Sequence, residues 1–547
     1  MYNGDLLADC ESALEAADGY VAAARTAARA LVAPAGKIDA ALIVANQRAV
    51  HGYGWIATVA AGLRSLHGWA VRLEQAGQFG DIDMEVLTIG FGEYLAQLGT
   101  AVPMSQTEFA RPLDLGIGEA AAALGGDAAV RRLIEQGNQP SRRAALAQEA
   151  AAGTMPSETL DETLDMIREQ FRGFVRGRIA PNAHRWHLAD DLIPDEIVAE
   201  MGELGVFGIC IAPEYGGLGL GKLALCVVSE ELSRGWIAAG SLGTRSEIAG
   251  ELIAHSGTEE QKRKWLPGIA SGQILPTAVF TEPDIGSDLA SLKTRATRSS
   301  DGSWAITGAK NWITHAARSD LMTILARSEP DRPGHDGLSM FLAAKTRRQE
   351  GEEFPDSGLD GSEIHVLGYR GMREYALSFD GFAVAADGLL GDTSGFGFRQ
   401  LMRTFESARI QTAARATGVA WNAFDCALRY ALERRQFGEQ LIHFPRVSDK
   451  LALMIVETVI ARELSYSAAR QKDGGERCDV EAGMAKLLAA RIAWSNADQC
   501  LQIHGGNGYA LEYEASRLLC DARILSIFEG AAEIQAQVIA RGLLAGD

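Results

Sequence analysis

A carboxylate near the C-terminus has the surroundings of a catalytic base. Glu529 follows the mainly apolar stretch 524–528, which ends in Phe528, and precedes Gly530 and a run of helical periodicity over 533–544. Apolar surroundings make a carboxylate a stronger base, whereas the N–H groups at a helix start stabilise its anion. Taken alone, the pattern is more typical of a residue that only caps a helix. The rest of the sequence favours the catalytic interpretation.

Two short stretches in the middle of the chain combine hydroxyl and aromatic side chains. The sequence VFTEPDIGSD contains Phe280 and Thr281, and the sequence KNWIT contains Trp312 and Thr314. An indole ring offers a stacking face, and two hydroxyls can bond ring nitrogen and oxygen atoms. These residues could therefore hold a flat heteroaromatic group, although turn threonines and a core tryptophan give the same pattern.

Glycines and cations mark two further stretches near the ends of predicted helices. Gln502, Gly505 and Gly506 belong to QIHGGNGY, and Arg434 and Phe437 belong to ERRQFG. Backbone N–H groups beside glycine can approach an anion such as a pyrophosphate. Neither motif is specific by itself, since two cations at a helix end also complement its dipole.

In this order, the four stretches and the aromatic-Glu-Gly motif at Glu529 resemble the acyl-CoA dehydrogenase family, over residues from about 156 to 547. The resemblance implies an FAD-dependent enzyme that removes two hydrogens from an acyl-CoA. It assigns the following residues to FAD: Phe280, Thr281, Trp312, Thr314, Arg434, Phe437, Gln502, Gly505 and Gly506. It assigns Ser287, Arg409 and Gly530 to the acyl-CoA.

The same resemblance makes Glu529 the base that takes the α-proton of the thioester substrate. Some family members carry this base on an earlier helix, at the position that Ala408 occupies here. Because alanine cannot accept a proton, Glu529 is the one candidate, and Arg409 matches an arginine beside the base. A hydride then leaves the β-carbon for the flavin, and electron-transfer flavoprotein is the expected electron acceptor.

Helical periodicity and β-rich runs alternate along the chain and predict its organisation. We expect an α-helical extension and linker at 1–155, an α-helical domain at 156–274, a β-barrel at 275–390 and a four-helix bundle at 391–547. The fold class is thus mainly α with a central β module, in which five short runs predict an antiparallel barrel or sandwich. The extension contains four to six predicted helices with a break at 101–103. The small, polar segment 137–159 is the predicted linker.

Composition restricts the partners and the compartment. The chain of 547 residues has a net charge of −19, which disfavours nucleic acid and anionic membranes as partners. With no signal peptide and no run of about 18 apolar residues, we expect a cytoplasmic protein. The seven cysteines have no CxxC or Cys/His ligand spacing, which predicts reduced thiols and no metal site. The family resemblance implies a homodimer or homotetramer.

Departures from the family pattern point to a specialised substrate. In GYRGMRE, Met372 and Glu374 replace small hydroxyl residues and Arg373 adds a cation, and Ala531 replaces a common threonine. The long extension and these segments resemble one branch of the family, which implies a short branched acyl-CoA with a second carboxylate. A buried anion of this kind needs a cation, and Arg245 and Arg373 are the two candidates.

Three alternatives stay open. A dehydrogenase of simple short or branched acyl-CoA would share every motif, because pocket volume depends on tertiary structure. A flavin monooxygenase of the same fold is disfavoured by the carboxylate at Glu529. A non-catalytic acyl-CoA-binding protein would use the extension as an interaction domain, and the sequence assigns no chemistry to the extension.

Overall fold

The chain forms two compact units. The computed structural model describes residues 3–545. The first unit contains the residues up to Met166 together with those from Thr412 onward, and the second unit contains Ile167–Gln411. The predicted fold class is confirmed, since helices dominate both units and a β module lies within the sequence of the second. No helix within residues 3–545 is both long and apolar enough to cross a membrane.

The helices and strands follow the predicted alternation along the chain. The α-helices are α1 (Asn3–Val32), α2 (Ala40–Ala45), α3 (Gln47–Gln75), α4 (Asp81–Thr100), α5 (Pro112–Leu115), α6 (Gly118–Gly126), α7 (Ala128–Gly137), α8 (Pro140–Ala151), α9 (Glu162–Phe174), α10 (Ala180–Ala189), α11 (Asp195–Glu203), α12 (Lys222–Gly235), α13 (Ile237–Ser256), α14 (Glu259–Ala270), α15 (Gly397–Glu433), α16 (Pro445–Asp473), α17 (Asp479–His504), α18 (Glu514–Ile524) and α19 (Ala532–Ala545). The strands are β1 (Val102–Pro103), β2 (Phe109–Ala110), β3 (Pro276–Val279), β4 (Arg295–Arg298), β5 (Trp304–Thr314), β6 (Leu321–Arg327), β7 (Leu338–Ala344), β8 (Leu359–Ile364), β9 (Glu374–Val384), β10 (Arg435–Gln436) and β11 (Glu439–Gln440).

The N-terminal helices pack on the C-terminal helices within the first unit. Gly54 lets α3 lie against α19, since a Cβ atom at this position would be 2.8 Å from the backbone oxygen of Ala536. On the same helix α3, Arg72 Nη2 donates to Glu463 Oε2 of α16 at 2.7 Å. The extension therefore shares one core with helices α16, α17 and α19.

Two predictions about the extension are wrong in detail. Its described part, from residue 3, contains eight helices rather than four to six. Short elements such as α2 and α5 span only 6 and 4 residues and carry too little periodicity to be predicted. The predicted linker 137–159 includes helix α8, which begins with proline at a position where no N–H is needed. Arg143 on this helix donates to Asp449 Oδ1 at 2.6 Å. The break predicted at 101–103 is confirmed, since α4 ends at Thr100.

The β module is a seven-stranded sheet with strand order β3-β6-β4-β5-β9-β8, and β7 pairs with β6. Most neighbours are antiparallel, as predicted, but β3 and β4 each pair in parallel with β6. Strands β4 and β8 were not predicted because exposed and polar residues dominate them. The long strands β5 and β9 have 11 residues each and pair with each other along most of their length.

Candidate active site

Glu529 lies in the turn between α18 and α19, and two residues of α15 hold its carboxylate. Arg415 Nη2 donates to Glu529 Oε1 at 2.8 Å, and the Thr412 hydroxyl donates to Glu529 Oε2. Arg415 Nη2 also donates to Thr412 Oγ1 at 2.7 Å. The side chain of Arg415 is fully buried, and that of Glu529 is 13% exposed. Glu529 is therefore more than a helix cap, because two side chains of another helix bind its carboxylate.

The backbone at Glu529 is strained and anchored. Glu529 has a φ of 52° and Gly530 a φ of 94°, both in the left-handed region that favours glycine. A Cβ atom at Gly530 would lie 2.0 Å from Gln535 Nε2. Gln535 Nε2 donates to the Glu529 carbonyl at 3.1 Å, and Lys486 Nζ donates to the Gly530 carbonyl at 2.6 Å. These contacts hold the backbone of the turn in place. The position of the carboxylate therefore depends on the rotation of the Glu529 side chain.

Sequence reasoning missed both partners of Glu529. Arg415 and Thr412 are 114 and 117 positions away from it in the sequence. Their sequence signal is a cation within the small and apolar helical run RIQTAARATG, three residues after a threonine and on the same helix face. The predicted Arg409 is half-buried in the second unit, with its guanidinium 6.0 Å from the centroid of the Phe405 ring.

In the second unit, a buried lysine joins the end of β3 to β5. Lys310 Nζ donates to the backbone oxygens of Phe280 and Leu325, both at 2.8 Å, and lies 3.3 Å from Glu282 Oε1. Burial lowers the pKa of Lys310 to about 8, and the charge of Glu282 opposes this shift. The two motifs that sequence reasoning assigned to the flavin therefore lie side by side, and Lys310 holds them together.

Trp312 and Thr281 lie on adjacent segments of this module. The Thr281 hydroxyl donates to the backbone oxygen of Asn311. The register between β5 and β9 shifts between Lys310 and Ile313, and Trp312 within this bulge has a φ of 60°. Its indole is 56% exposed. Bulges often re-aim a side chain next to a functional site, and this ring offers a stacking face.

Glu374, one of the departures from the family pattern, contacts the predicted flavin-binding residue Thr314. Thr314 Oγ1 donates to Glu374 Oε2 at 3.1 Å. Burial raises the pKa of Glu374 to about 7, and the hydrogen bond from Thr314 and the charge of Arg245 oppose the shift. Arg245, a predicted partner of the substrate carboxylate, is itself buried on α13. Below about pH 7, the Glu374 carboxyl is protonated and can donate to the threonine oxygen.

The residues predicted to bind pyrophosphate come together in the first unit. The ring of Tyr430, one helical turn before Arg434, stacks on His504 with the ring centroids 4.1 Å apart. His504 directly precedes Gly505, which has a φ of 58°. A Cβ atom added at Gly505 or Gly506 would meet no atom within 4 Å. The backbone here is open to a ligand.

Phe437 and Gln502 are exposed in the single chain. Phe437, with a φ of 52°, and Gly438, with a φ of 87°, form the turn between β10 and β11, and positive φ at both positions suits a tight hairpin. The Phe437 side chain is 94% exposed.

Two further predicted residues lie in the second unit. Ser287 is exposed in the loop that follows β3. Arg373 has a φ of 62°, and its Nη1 lies 3.2 Å from Glu363 Oε2 and 3.7 Å from Glu353 Oε1. Arg373 thus already has two carboxylate partners, which weakens its case as the receptor of a substrate carboxylate.

Two cysteines and a histidine converge although their sequence spacing does not indicate it, and the expectation of no metal site stays a prediction. Within residues 3–545, ligand atoms of the buried Cys426, Cys500 and His504 lie within 4.8 Å of one another, and all seven cysteines are free. His504 Nδ1 donates to the Cys500 carbonyl at 2.8 Å, and His504 Nε2 lies 3.7 Å from Cys426 Sγ. Sequence spacing could not reveal the cluster because Cys426 comes from a different helix.

The chain belongs to the acyl-CoA dehydrogenase family. Models of this family's N-terminal, middle and C-terminal domains match residues 161–273, 277–382 and 395–544. Members of the family are FAD-dependent flavoproteins, so this chain is an oxidoreductase with FAD as its cofactor.

Individual proteins and solved structures that resemble the chain give a more specific comparison than the family models. The (2S)-methylsuccinyl-CoA dehydrogenase of Cereibacter sphaeroides is 56% identical over 99% of this chain and 98% of its own length. A chain from a structure of the electron transferring flavoprotein of Acidaminococcus fermentans matches with a TM-score of 0.67 and 31% identity, over 71% of this chain and all of its own. A glutaryl-CoA dehydrogenase in complex with glutaryl-CoA matches with a TM-score of 0.67 and 32% identity, over 71% of this chain and 96% of its own.

Proposed function

We propose that the chain catalyses the α,β-dehydrogenation of (2S)-methylsuccinyl-CoA to mesaconyl-CoA, a step of the ethylmalonyl-CoA pathway. The observation that carries this proposal is the 56% identity over 99% of the chain, extension included, to a dehydrogenase of that substrate. The chemistry of the site supports it. A substrate with a second carboxylate needs a base for its α-proton and a cation for its distal anion. Glu529 is the proposed base, and Arg245 on α13 is the proposed cation.

The residues assigned to FAD suit this group. Trp312 offers an exposed ring for stacking, and Thr281 and Thr314 supply hydroxyls on the same β module. Gly505 and Gly506 leave their backbone open to a pyrophosphate. When bound, FAD accepts the hydride that leaves the substrate β-carbon.

Glu529 takes the proton from the α-carbon, and its backbone N–H donates to the thioester carbonyl as negative charge develops there. The anchored turn at Glu529 and Gly530 supports this role, because the donor must be in place before the reaction. Ser287, Arg409 and Gly530 are the proposed acyl-CoA contacts.

Electron-transfer flavoprotein is the proposed acceptor of the electrons, as expected from the family. We also propose a homodimer or homotetramer in which Arg434, Phe437 and Gln502 contact the FAD of a neighbouring subunit. The support is the exposure of all three side chains in the single chain. Gel filtration with light scattering tests the oligomeric state.

Anaerobic titration of the oxidised flavin with three thioesters tests the proposed function. Methylsuccinyl-CoA should bleach the flavin far faster than isobutyryl-CoA or butyryl-CoA. Equal bleaching by butyryl-CoA would instead support a dehydrogenase of simple acyl-CoA. A flavin that none of the three thioesters reduces would rule out the dehydrogenase.

A further inference from the structure

Three side chains that can bind a metal ion converge away from the proposed base. Cys426 of α15 and Cys500 and His504 of α17 are buried, and one ligand atom from each lies within 4.8 Å of the other two. Thiolates and imidazoles are the groups with which proteins bind zinc most often. A buried cysteine by itself is usually only a small apolar side chain. The contacts that these three residues make therefore decide between packing and metal binding.

The hydrogen bond of His504 turns one ring nitrogen toward a thiol. Nδ1 donates to the backbone oxygen of Cys500 at 2.8 Å, and because a carbonyl oxygen can only accept, Nδ1 carries a proton. In the neutral ring Nε2 therefore has a free lone pair, and it lies 3.7 Å from Cys426 Sγ. A thiolate sulfur and an imidazole nitrogen that share a tetrahedral zinc ion lie about 3.5 Å apart. The separation found here is close to that of a filled site.

A second layer of side chains holds the ring of His504. The Tyr430 ring stacks on the imidazole with the ring centroids 4.1 Å apart. Asn507 Nδ2 donates to the hydroxyls of Tyr430 and Tyr513, at 2.9 and 3.0 Å. Histidine ligands of metals are oriented by a hydrogen bond from the nitrogen that does not bind the metal. Stacking on the face of the ring and a bond at Nδ1 leave the Nε2 edge for a ligand.

We infer that Cys426, Cys500 and His504 form a binding site for a zinc ion. Zn²⁺ displaces the two thiol protons, which pass to water, and two thiolates with a neutral imidazole then give a complex without net charge. A monovalent ion such as Cu⁺ would leave a net negative charge in a buried site, so the ligand set favours a divalent ion. Three protein ligands leave the fourth tetrahedral position to water. A metal site here runs against the prediction from cysteine spacing, which could not account for a ligand from a different helix.

The cluster lies one layer of side chains below the surface. Arg429, almost one helical turn after Cys426, pairs with Glu514 at 3.2 Å, and their side chains are 59% and 32% exposed. This ion pair has no net charge, and an ion from solvent has only these side chains to pass. A bound zinc ion would join α15 to the end of α17, directly before Gly505.

Zinc analysis of the holoenzyme tests the site. The FAD-loaded protein is kept reduced at its thiols, mixed with zinc chloride and gel-filtered, and the retained zinc is measured by plasma mass spectrometry. The wild type should keep about one zinc ion per chain. In competition with a chelating dye, Cys426→Ala and Cys500→Ala should each bind zinc at least about 100-fold more weakly. The control is Cys520→Ala, which removes a half-buried thiol outside the cluster and should bind zinc like the wild type.

X-ray absorption at the zinc edge identifies the ligands in the wild-type holoenzyme. Two sulfur ligands and one imidazole nitrogen are expected, and a spectrum with fewer than two sulfurs would overturn the inference. This measurement decides the question even if an alanine variant fails to fold. Zinc bound as tightly by both cluster variants as by the wild type, or lost only in Cys520→Ala, would show an adventitious ion and would also overturn it. So would a wild type that retains no zinc. None of these outcomes bears on the dehydrogenase activity, which flavin reduction by methylsuccinyl-CoA tests separately.

Discussion

At the scale of single residues, the sequence predicts Glu529 as the base but not the residues that hold its carboxylate. Glu529 was recognisable because its motif is local, with an aromatic residue before it and glycine after it. Arg415 and Thr412 contact it from a helix more than a hundred positions earlier, and no periodicity reports such a contact. The available sequence signal for this contact was an arginine within a small and apolar run of α15. The structure shows that this arginine is fully buried.

The environment of the Glu374 side chain also became clear only from the structure. Its sequence position showed a departure from the family pattern, and the structure shows that the side chain is buried against the Thr314 hydroxyl. Burial raises the pKa of Glu374 from 4.5 to about 7. The direction of the hydrogen bond between Glu374 and Thr314 therefore depends on pH in the neutral range.

This pKa shift predicts a pH dependence of stability that Glu374→Gln should remove. Between pH 4.5 and about 7 the folded protein keeps a proton that the unfolded chain releases. The free energy of unfolding therefore falls as pH rises through this window and levels off above it. The shift corresponds to a loss of roughly 3 kcal/mol.

Urea unfolding of the FAD-saturated holoenzyme between pH 5 and pH 8 measures this effect. The free energy of unfolding should fall less steeply with pH in Glu374→Gln than in the wild type. Asp360→Asn, at an exposed carboxylate on the neighbouring strand β8, should keep the wild-type slope. Identical slopes for the wild type and Glu374→Gln would refute the account of this residue.

At the scale of elements, long periodic segments were predictable and short ones were not. Helices α3, α4, α16 and α17 are each 20 or more residues long, which makes a helical segment easy to recognise in the sequence. Strands β4 and β8 are short and have one buried residue each, so their pairing in the sheet decides their conformation. Helix α8 was missed because its small and polar composition resembles a linker, although tertiary ion pairs hold it.

The contact between the extension and α19 makes a prediction about two glycines. Gly54→Ala should lower the free energy of unfolding by about 1–3 kcal/mol, because its Cβ atom would press on the backbone oxygen of Ala536. Gly19 lies at an exposed position of α1, where an added Cβ atom would meet no atom within 4 Å. Gly19→Ala should therefore raise the free energy of unfolding by about 1 kcal/mol.

Thermal and urea unfolding of both variants test this packing. Equal stability changes would mean that α3 and α19 do not pack as closely as described. A stabilised Gly54→Ala variant would contradict the claim that the extension shares a core with the C-terminal helices. In either case the Gly19→Ala result reports the intrinsic helix preference alone.

At the scale of the whole molecule, the proposed functional residues divide between the two units. The second unit carries the β module with Thr281, Trp312 and Thr314, and the first unit carries the proposed base Glu529. The family motifs were sufficient to predict the fold class, and the roles of these residues stay predictions. The part played by the extension was not predictable, because its sequence carries no chemistry and its contribution is to the core of the first unit.

The central claim is that Glu529 takes the α-proton, and stopped-flow reduction of the flavin by methylsuccinyl-CoA tests it most directly. Glu529→Gln should slow reduction by at least about 100-fold, in line with the contribution of a general base. Glu533→Gln, which changes an exposed carboxylate at the start of α19, should react at nearly the wild-type rate. Reduction of Glu529→Gln at the wild-type rate would contradict the account.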